Sequence, residues 1–190
     1  EGNPVDIGDH NPLEDVAFLN REITMWLYGI LERNWLKLAR KIQAEGLKLE
    51  VVIAEQLAGA GIRESHVNEA LMETGLSRLD PIKWNEEDMI RLCDAMRETS
   101  KPLLIAANKA DIAPRKNLDR LRDLDRVVVP TSAAAELALK SAAKSGLIKY
   151  SPGDRKFEVL GGDLTKAQKK GLEAIQKVTE RLGGTGVQEC

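Results

Sequence analysis

Leu103-Leu104-Ile105-Ala106-Ala107 runs directly into Asn108-Lys109-Ala110-Asp111. Five apolar residues without alternation read as a strand buried on both faces, the habit of parallel sheets. The polar residues after them end it in a turn. A second run of this kind, Arg126-Val127-Val128-Val129-Pro130-Thr131, leads into Ser132-Ala133-Ala134. Between the two, residues 112–125 are charged and helix-compatible around Leu118, Leu121 and Leu124. Strand, helix, strand is an α/β pattern with parallel strands joined by a crossover. Open sheets of this type bind ligands beyond the carboxyl ends of their strands, and both polar segments lie there. Two strands cannot bury two faces and two edges, so the pattern also predicts neighbouring strands outside this sequence.

Downstream, Ser132 is placed to cap a helix through Ala133 to about Lys144. Residues 150–163, with Pro152, Gly153, Gly161 and Gly162, read as loop. Thr165-Lys166-Ala167-Gln168 is a capping box that opens a last helix to Leu182, stopped by Gly183-Gly184. Upstream, Asn85-Glu86-Glu87-Asp88 starts a helix whose apolar face is Met89, Leu92, Cys93 and Met96, ended by Ser100-Lys101-Pro102. Further back, Asn11-Pro12-Leu13-Glu14 is another capped start. Val16, Leu19, Ile23, Trp26 and Ile30, with Leu27, Leu31, Leu38 and Ile42, form one helical stripe behind it. A continuous helix over 12–45 would be about 50 Å long and would stop at Gly46. Its expected antiparallel partner is 47–57, broken at Gly59-Ala60-Gly61, with a short helix over 63–74 closed by Gly75. The expected organisation is a loop over 1–11, a helical, coiled-coil-like hairpin over 12–80, with a helical hairpin or small bundle as the plain reading of 12–75, and an α/β part over 81–190, helix-rich overall.

The 190 residues carry a net charge of −2, with 43% hydrophobic and 31% charged side chains. That composition excludes disorder of the weakly hydrophobic kind and a protein that holds nucleic acid by net charge alone. The longest aliphatic run is far too short to span a membrane, and the polar start of the sequence is no secretory signal. Cys93 and Cys190 do not make a disulfide framework, so reduced thiols and a cytoplasmic setting are expected. Neither end reads as a natural terminus, and a piece of a longer protein is expected.

The chemistry lies at the two strand ends. Guanine shows two adjacent donors on its Watson–Crick edge, the ring N1–H and the exocyclic amine. An ionised carboxylate is an acceptor with two oxygens, so Asp111 can take both. Adenine offers one donor and one acceptor there, and the carboxylate would face a lone pair. A bidentate contact of this sort discriminates by about 1–3 kcal/mol. Asn108 can tie the base edge to neighbouring loops, and the stem of Lys109 can lie over the flat ring. Ala133 is small enough for its backbone N–H to approach the guanine carbonyl oxygen, and Ser132 can hold the loop and cap the helix behind it. The bland alternative is a polar turn after a strand. Its pairing with Ser132-Ala133 after the next strand favours base recognition.

The phosphate half of such a site is absent from the sequence. No Gly-x-x-x-x-Gly-Lys-Ser/Thr occurs, nor an Asp-x-x-Gly that could hold a metal and an attacking water. Phosphoryl transfer is mostly electrostatic stabilisation at the phosphates, so this chain alone is not expected to hydrolyse a nucleotide, and no catalytic or metal-ligating residue is assigned.

With these residues in view, the chain resembles the Obg-like, YchF-type GTPases of the TRAFAC class of P-loop NTPases, most closely their archaeal branch. The resemblance rests on Glu1-Gly2-Asn3-Pro4, Leu13-Glu14-Asp15, residues 25–31 (Met-Trp-Leu-Tyr-Gly-Ile-Leu), Asn108-Lys109-Ala110-Asp111, residues 129–133 and residues 184–189. It implies that 12–80 is the helical insertion of the family's G domain and 81–190 the closing part of a Rossmann-like parallel sheet. It further implies a missing phosphate-binding part and a missing TGS domain. Guanine nucleotide is the implied ligand, with Mg²⁺ bound by residues outside this chain, and ribosomes are the implied partner. Many members carry Glu in the base motif and prefer ATP. Asp111 is a departure that favours GTP, and an ATP-preferring member is the alternative within the family.

Smaller signals remain. Arg33, Lys37, Arg40 and Lys41 share one helical face and could meet RNA or a ribosome, although a charge run is usually a solvated face. A helical ribosome- or protein-interaction module with a vestigial nucleotide site is therefore the second reading. His10 and His66 lack metal-ligand spacing. Cys93 reads as inert core, and Trp26 and Trp35 as helix packing.

Overall fold

The computed structural model describes residues 9–78, 80–161 and 164–190. The expected loop over 1–11 and the Glu1–Pro4 segment thus fall mostly or wholly outside the described residues. The chain divides into two compact units. One is Glu14–Pro102, and the other is Leu103–Cys190 with the described residues up to Leu13.

The first unit is helical. It contains α1 (Pro12–Glu32, of which the first residues count with the other unit), α2 (Trp35–Glu45), α3 (Leu49–Gln56), α4 (Glu64–Thr74) and α5 (Glu86–Ser100), with single 3-10 turns at Ala58–Ala60 and Pro81–Lys83. Asn11 Oδ1 accepts from Leu13 N–H at 3.3 Å at the start of α1. The continuous helix expected over 12–45 is not formed. The chain leaves helical geometry at Asn34 (φ −126°, ψ 10°) and restarts at Trp35. The restart buries Trp35 and stacks it on Trp84, centroids 5.1 Å apart and planes 15° from parallel. Burying and stacking two indoles outweighs the helical hydrogen bonds lost at the break, each worth about 1 kcal/mol net.

Of the two arrangements expected for this stretch, a long antiparallel hairpin or a small bundle, the chain forms a bundle of short helices. At eight residues, α3 is only about 12 Å long and cannot cover such a stripe; α4 packs on α5 instead. Leu27, Leu31, Ile53, Leu57, Val67, Leu92 and Met96 are fully buried at the centre of this bundle. The expected stops hold, with Gly46, Gly61 and Gly75 in the left-handed region. Asn85 and Asp88 cap each other's backbone N–H at the start of α5, at 2.9 and 3.2 Å. The composition changes at 80/81, where the sequence boundary was expected; the packing boundary lies after α5, at 102/103.

The second unit holds β1 (Leu104–Ala107) and β2 (Val127–Pro130), paired in parallel from Leu104 opposite Val127 to Ala107 opposite Pro130. Around them lie α6 (Arg115–Arg122), α7 (Ala133–Lys144) and α8 (Lys166–Leu182). Ser132 Oγ and Thr165 Oγ1 cap α7 and α8 as the sequence predicts. The strands are not buried on both faces within this chain. Leu104 is 44% exposed and Val127 63%, because no third strand joins this sheet among the described residues. The expected loop over 150–163 also needs correction. Glu158–Val159 forms β4, antiparallel to β3 (Ile148–Lys149). Its formation places Ile148 in a small core with Leu139 and Leu172, and burial there outweighs the weak strand signal of two-residue segments. The chain is a helix-rich α/β structure with a small parallel sheet.

Candidate nucleotide-base site

Because Ala107 and Pro130 are paired at the ends of β1 and β2, the two polar segments leave the sheet side by side. The ladder continues one step past the strands. Thr131 N–H donates to Ala107 C=O, and Ala110 N–H to Thr131 C=O, both at 3.0 Å. Asn108 then joins the loops through its side chain. Its Oδ1 accepts from Lys109 N–H at 2.8 Å and from Ala133 N–H at 3.2 Å.

Lys109 has φ +63°, an unusual conformation for a residue with a Cβ. It folds the chain back so that Ile112 and Ala113 N–H both donate to Lys109 C=O. The turn buries Ala110 to 1% exposure, leaves the Lys109 side chain exposed, and sets Asp111 half-buried at the rim. The Asp111 carboxylate has no hydrogen-bond or ion-pair partner among the described residues. Both of its oxygens are open as acceptors. The backbone around it is held by Arg181 of α8, whose Nη2 donates to Ala110 C=O at 2.9 Å and Asp111 C=O at 2.7 Å.

On the second loop Ser132 is buried and its Oγ accepts from Ala135 N–H at 3.3 Å. Its own N–H donates to Thr185 C=O at 2.9 Å. Ala133 begins α7. Its N–H, read from the sequence as open toward a purine oxygen, is engaged by Asn108 in this structure. All five residues singled out in the sequence, Asn108, Lys109, Asp111, Ser132 and Ala133, thus come together on the two adjoining loops.

A buried carboxylate lies behind the second loop. Glu136 Oε2 accepts from Tyr150 Oη and from Thr185 Oγ1, each at 2.6 Å, and Lys140 Nζ stands 3.3 Å from Oε1. Burial works to raise the Glu136 carboxyl, but those three partners outweigh it and hold it below the usual range. Tyr150 is pushed up to about 12 by burial, then by its hydrogen bond and the negative charge of Glu136.

Sequence reasoning missed Arg181, Thr185, Gly186, Glu136 and Tyr150 as parts of this region. Arg181 is one of several cations on α8 and carried no local signal. Gly186 did carry one, in the Gly184-Thr185-Gly186 cluster. Elsewhere, His66 Nδ1 accepts from Arg63 N–H at the start of α4. Among the described residues no group of three or more His, Cys, Asp and Glu side chains is placed to hold a metal. The four basic residues of the expected RNA face, Arg33, Lys37, Arg40 and Lys41, are all exposed, Lys41 beside Glu45 at 4.0 Å.

Residues 106–190 match the family described as "Obg-like GTPase YGR210-like, G4 motif-containing domain". The chain is 43% identical over its full length to an uncharacterized GTP-binding protein of Methanocaldococcus jannaschii, covering 47% of that protein. It is 27% identical, over 80% of its length, to an uncharacterized GTP-binding protein of Schizosaccharomyces pombe, covering 37% of it. A crystal structure of a GTP-binding protein from Pyrococcus horikoshii OT3 is similar over the whole chain, with 41% identity and a TM-score of 0.77, and the chain covers 50% of it. The chain therefore spans about half the length, or less, of the relatives it matches.

Proposed function

From these likenesses, which support an Obg-like GTPase family, we propose that the chain carries the base-recognition half of a guanine-nucleotide site. Asp111 accepts from the guanine N1–H and amine, Asn108 ties the two loops around the base, the stem of Lys109 lies over the ring, and Ser132-Ala133 close the pocket. The single observation that supports this reading most is the open carboxylate of Asp111 on a loop fastened to Ser132-Ala133 through Asn108. A carboxylate with no protein partner at a strand end needs a donor from a ligand or from water. The parent protein is a cytoplasmic, translation-associated GTPase in this reading, of YchF type, with 12–80 as a helical insertion. Among the described residues no cluster of three or more His, Cys, Asp and Glu side chains is placed to hold Mg²⁺, and in this reading its ligands belong to residues outside this chain.

The test is nucleotide selectivity of the intact protein. Asp111→Asn should weaken GTP binding by about tenfold to a hundredfold and strengthen binding of xanthosine triphosphate, whose C2 carbonyl replaces the amine. Unchanged GTP binding would remove Asp111 from the site. Wild-type preference for ATP over GTP would instead favour the ATP-using alternative.

The exposed Lys37, Arg40 and Lys41 of α2, with exposed Arg33 in the break before it, favour a second reading, contact with ribosomal RNA. Reversal of Arg33, Lys37 and Arg40 to Glu should reduce ribosome co-sedimentation, and the wild-type interaction should weaken as salt rises. Equal sedimentation of the two proteins would dismiss it.

A further inference from the structure

We infer that residues 181–186 form a clasp that positions both base loops, and that Arg181 is a positioning residue for guanine selectivity. The inference rests on the base-site reading and deepens it.

A bidentate contact needs its acceptor oxygens fixed to within a fraction of an ångström. Asp111 has no side-chain partner to fix it, so its aim is set by its backbone. One nitrogen of Arg181 holds that backbone at two successive carbonyls, Ala110 at 2.9 Å and Asp111 at 2.7 Å. Both are charge-assisted bonds, stronger than neutral ones. After Arg181 the helix ends at Gly183 in the left-handed region. The chain then returns to the second loop. Thr185 C=O accepts from Ser132 N–H, and Thr185 Oγ1 donates to the buried Glu136 of α7. Gly186 lies against the end of β2, so close that a Cβ built on it would fall 2.1 Å from Pro130 O. One short segment therefore holds the first base loop by a side chain, the second by a main-chain carbonyl, and the strand end by close packing.

The experiment compares GDP with inosine diphosphate on the intact protein. Hypoxanthine lacks the exocyclic amine, so the affinity ratio reads the second hydrogen bond of the carboxylate. Loss of folded protein lowers the number of sites and leaves the ratio alone. Arg181→Ala should lower the GDP:IDP ratio by about fivefold or more while the stoichiometry of bound nucleotide is kept. Arg181→Lys should restore most of it, because a single nitrogen makes both contacts and an ammonium has three donors. Asp111→Asn serves as the control. If Asp111→Asn abolishes the preference and Arg181→Ala keeps the wild-type ratio, the clasp is overturned and the base reading stands. If Asp111→Asn leaves the ratio intact, the base reading itself fails. Hydrogen exchange on the wild type gives a second measurement that needs no variant. GDP should slow exchange of the Ser132 amide and of residues 181–186, and unchanged exchange there would overturn the clasp.

Discussion

Glu136 is a carboxylate kept charged inside the second unit, and its pH behaviour follows from its neighbours. A carboxyl held below its usual value stabilises the fold above its unfolded value, near 4.5, and loses that contribution as pH falls through the folded value. Tyr150 runs the other way. Its hydroxyl, raised to about 12, contributes stability that is complete below 10 and disappears as pH rises from 10 to 12. Glu136→Gln should therefore flatten the acid limb of the stability curve and lower the Tyr150 hydroxyl from about 12, while burial, the larger cause, still keeps it raised. Tyrosinate absorbance during alkaline titration measures the second effect. Tyr28, the other tyrosine, is also raised, by burial and then by Glu86 and Glu32, and should not move in the variant. An unaltered titration would show that Glu136 carries no charge beside Tyr150.

Among the elements, the return of the chain from α8 to β2 depends on Gly186. Its φ is +71°, and so is that of Gly146, which follows α7. A Cβ at Gly146 would meet nothing within 4 Å, whereas one at Gly186 would strike Pro130 O. The two substitutions separate backbone strain from steric exclusion. Gly146→Ala should cost about 1 kcal/mol, the strain of a left-handed alanine. Gly186→Ala should cost about 2–4 kcal/mol, since the β2 end or the tail must shift as well. Thermal denaturation of both variants followed by far-UV circular dichroism checks this. Equal losses would mean that the close approach to Pro130 is not what keeps glycine there.

At the scale of the molecule, the apolar interior is split. One core lies within Glu14–Pro102, and a much smaller one gathers around Leu139, Ile148 and Leu172. All three tryptophans, Trp26, Trp35 and Trp84, belong to the helical unit. Leu139→Ala should cost about 2–5 kcal/mol, and the loss should fall on residues 103–190. Tryptophan fluorescence should keep its wild-type midpoint while a far-UV transition moves to lower temperature. A common shift of both signals would show one cooperative unit.

The order of elements around the site was legible from the sequence because its signals are local. The apolar runs before Asn108 and before Ser132 mark β1 and β2, with the candidate base-binding residues at their ends. Ser132, Thr165 and Asn85 mark helix starts by hydroxyl or amide chemistry within three residues, and Gly46, Gly75 and Gly183 mark stops by the left-handed conformation they allow. Tertiary structure alone decided the break before Trp35, which depends on Trp84. It also decided the β3–β4 pairing, which depends on a core shared with α7 and α8. The grip of Arg181 on a loop 70 residues earlier in the sequence and the enclosure of Glu136 by Tyr150 and Thr185 belong to the same class. The partners are 14 residues apart for Glu136 and Tyr150 and 70 for Arg181 and Asp111, and all lie beyond the three or four residues over which caps and stops act, so their meeting depends on the free energy of packing.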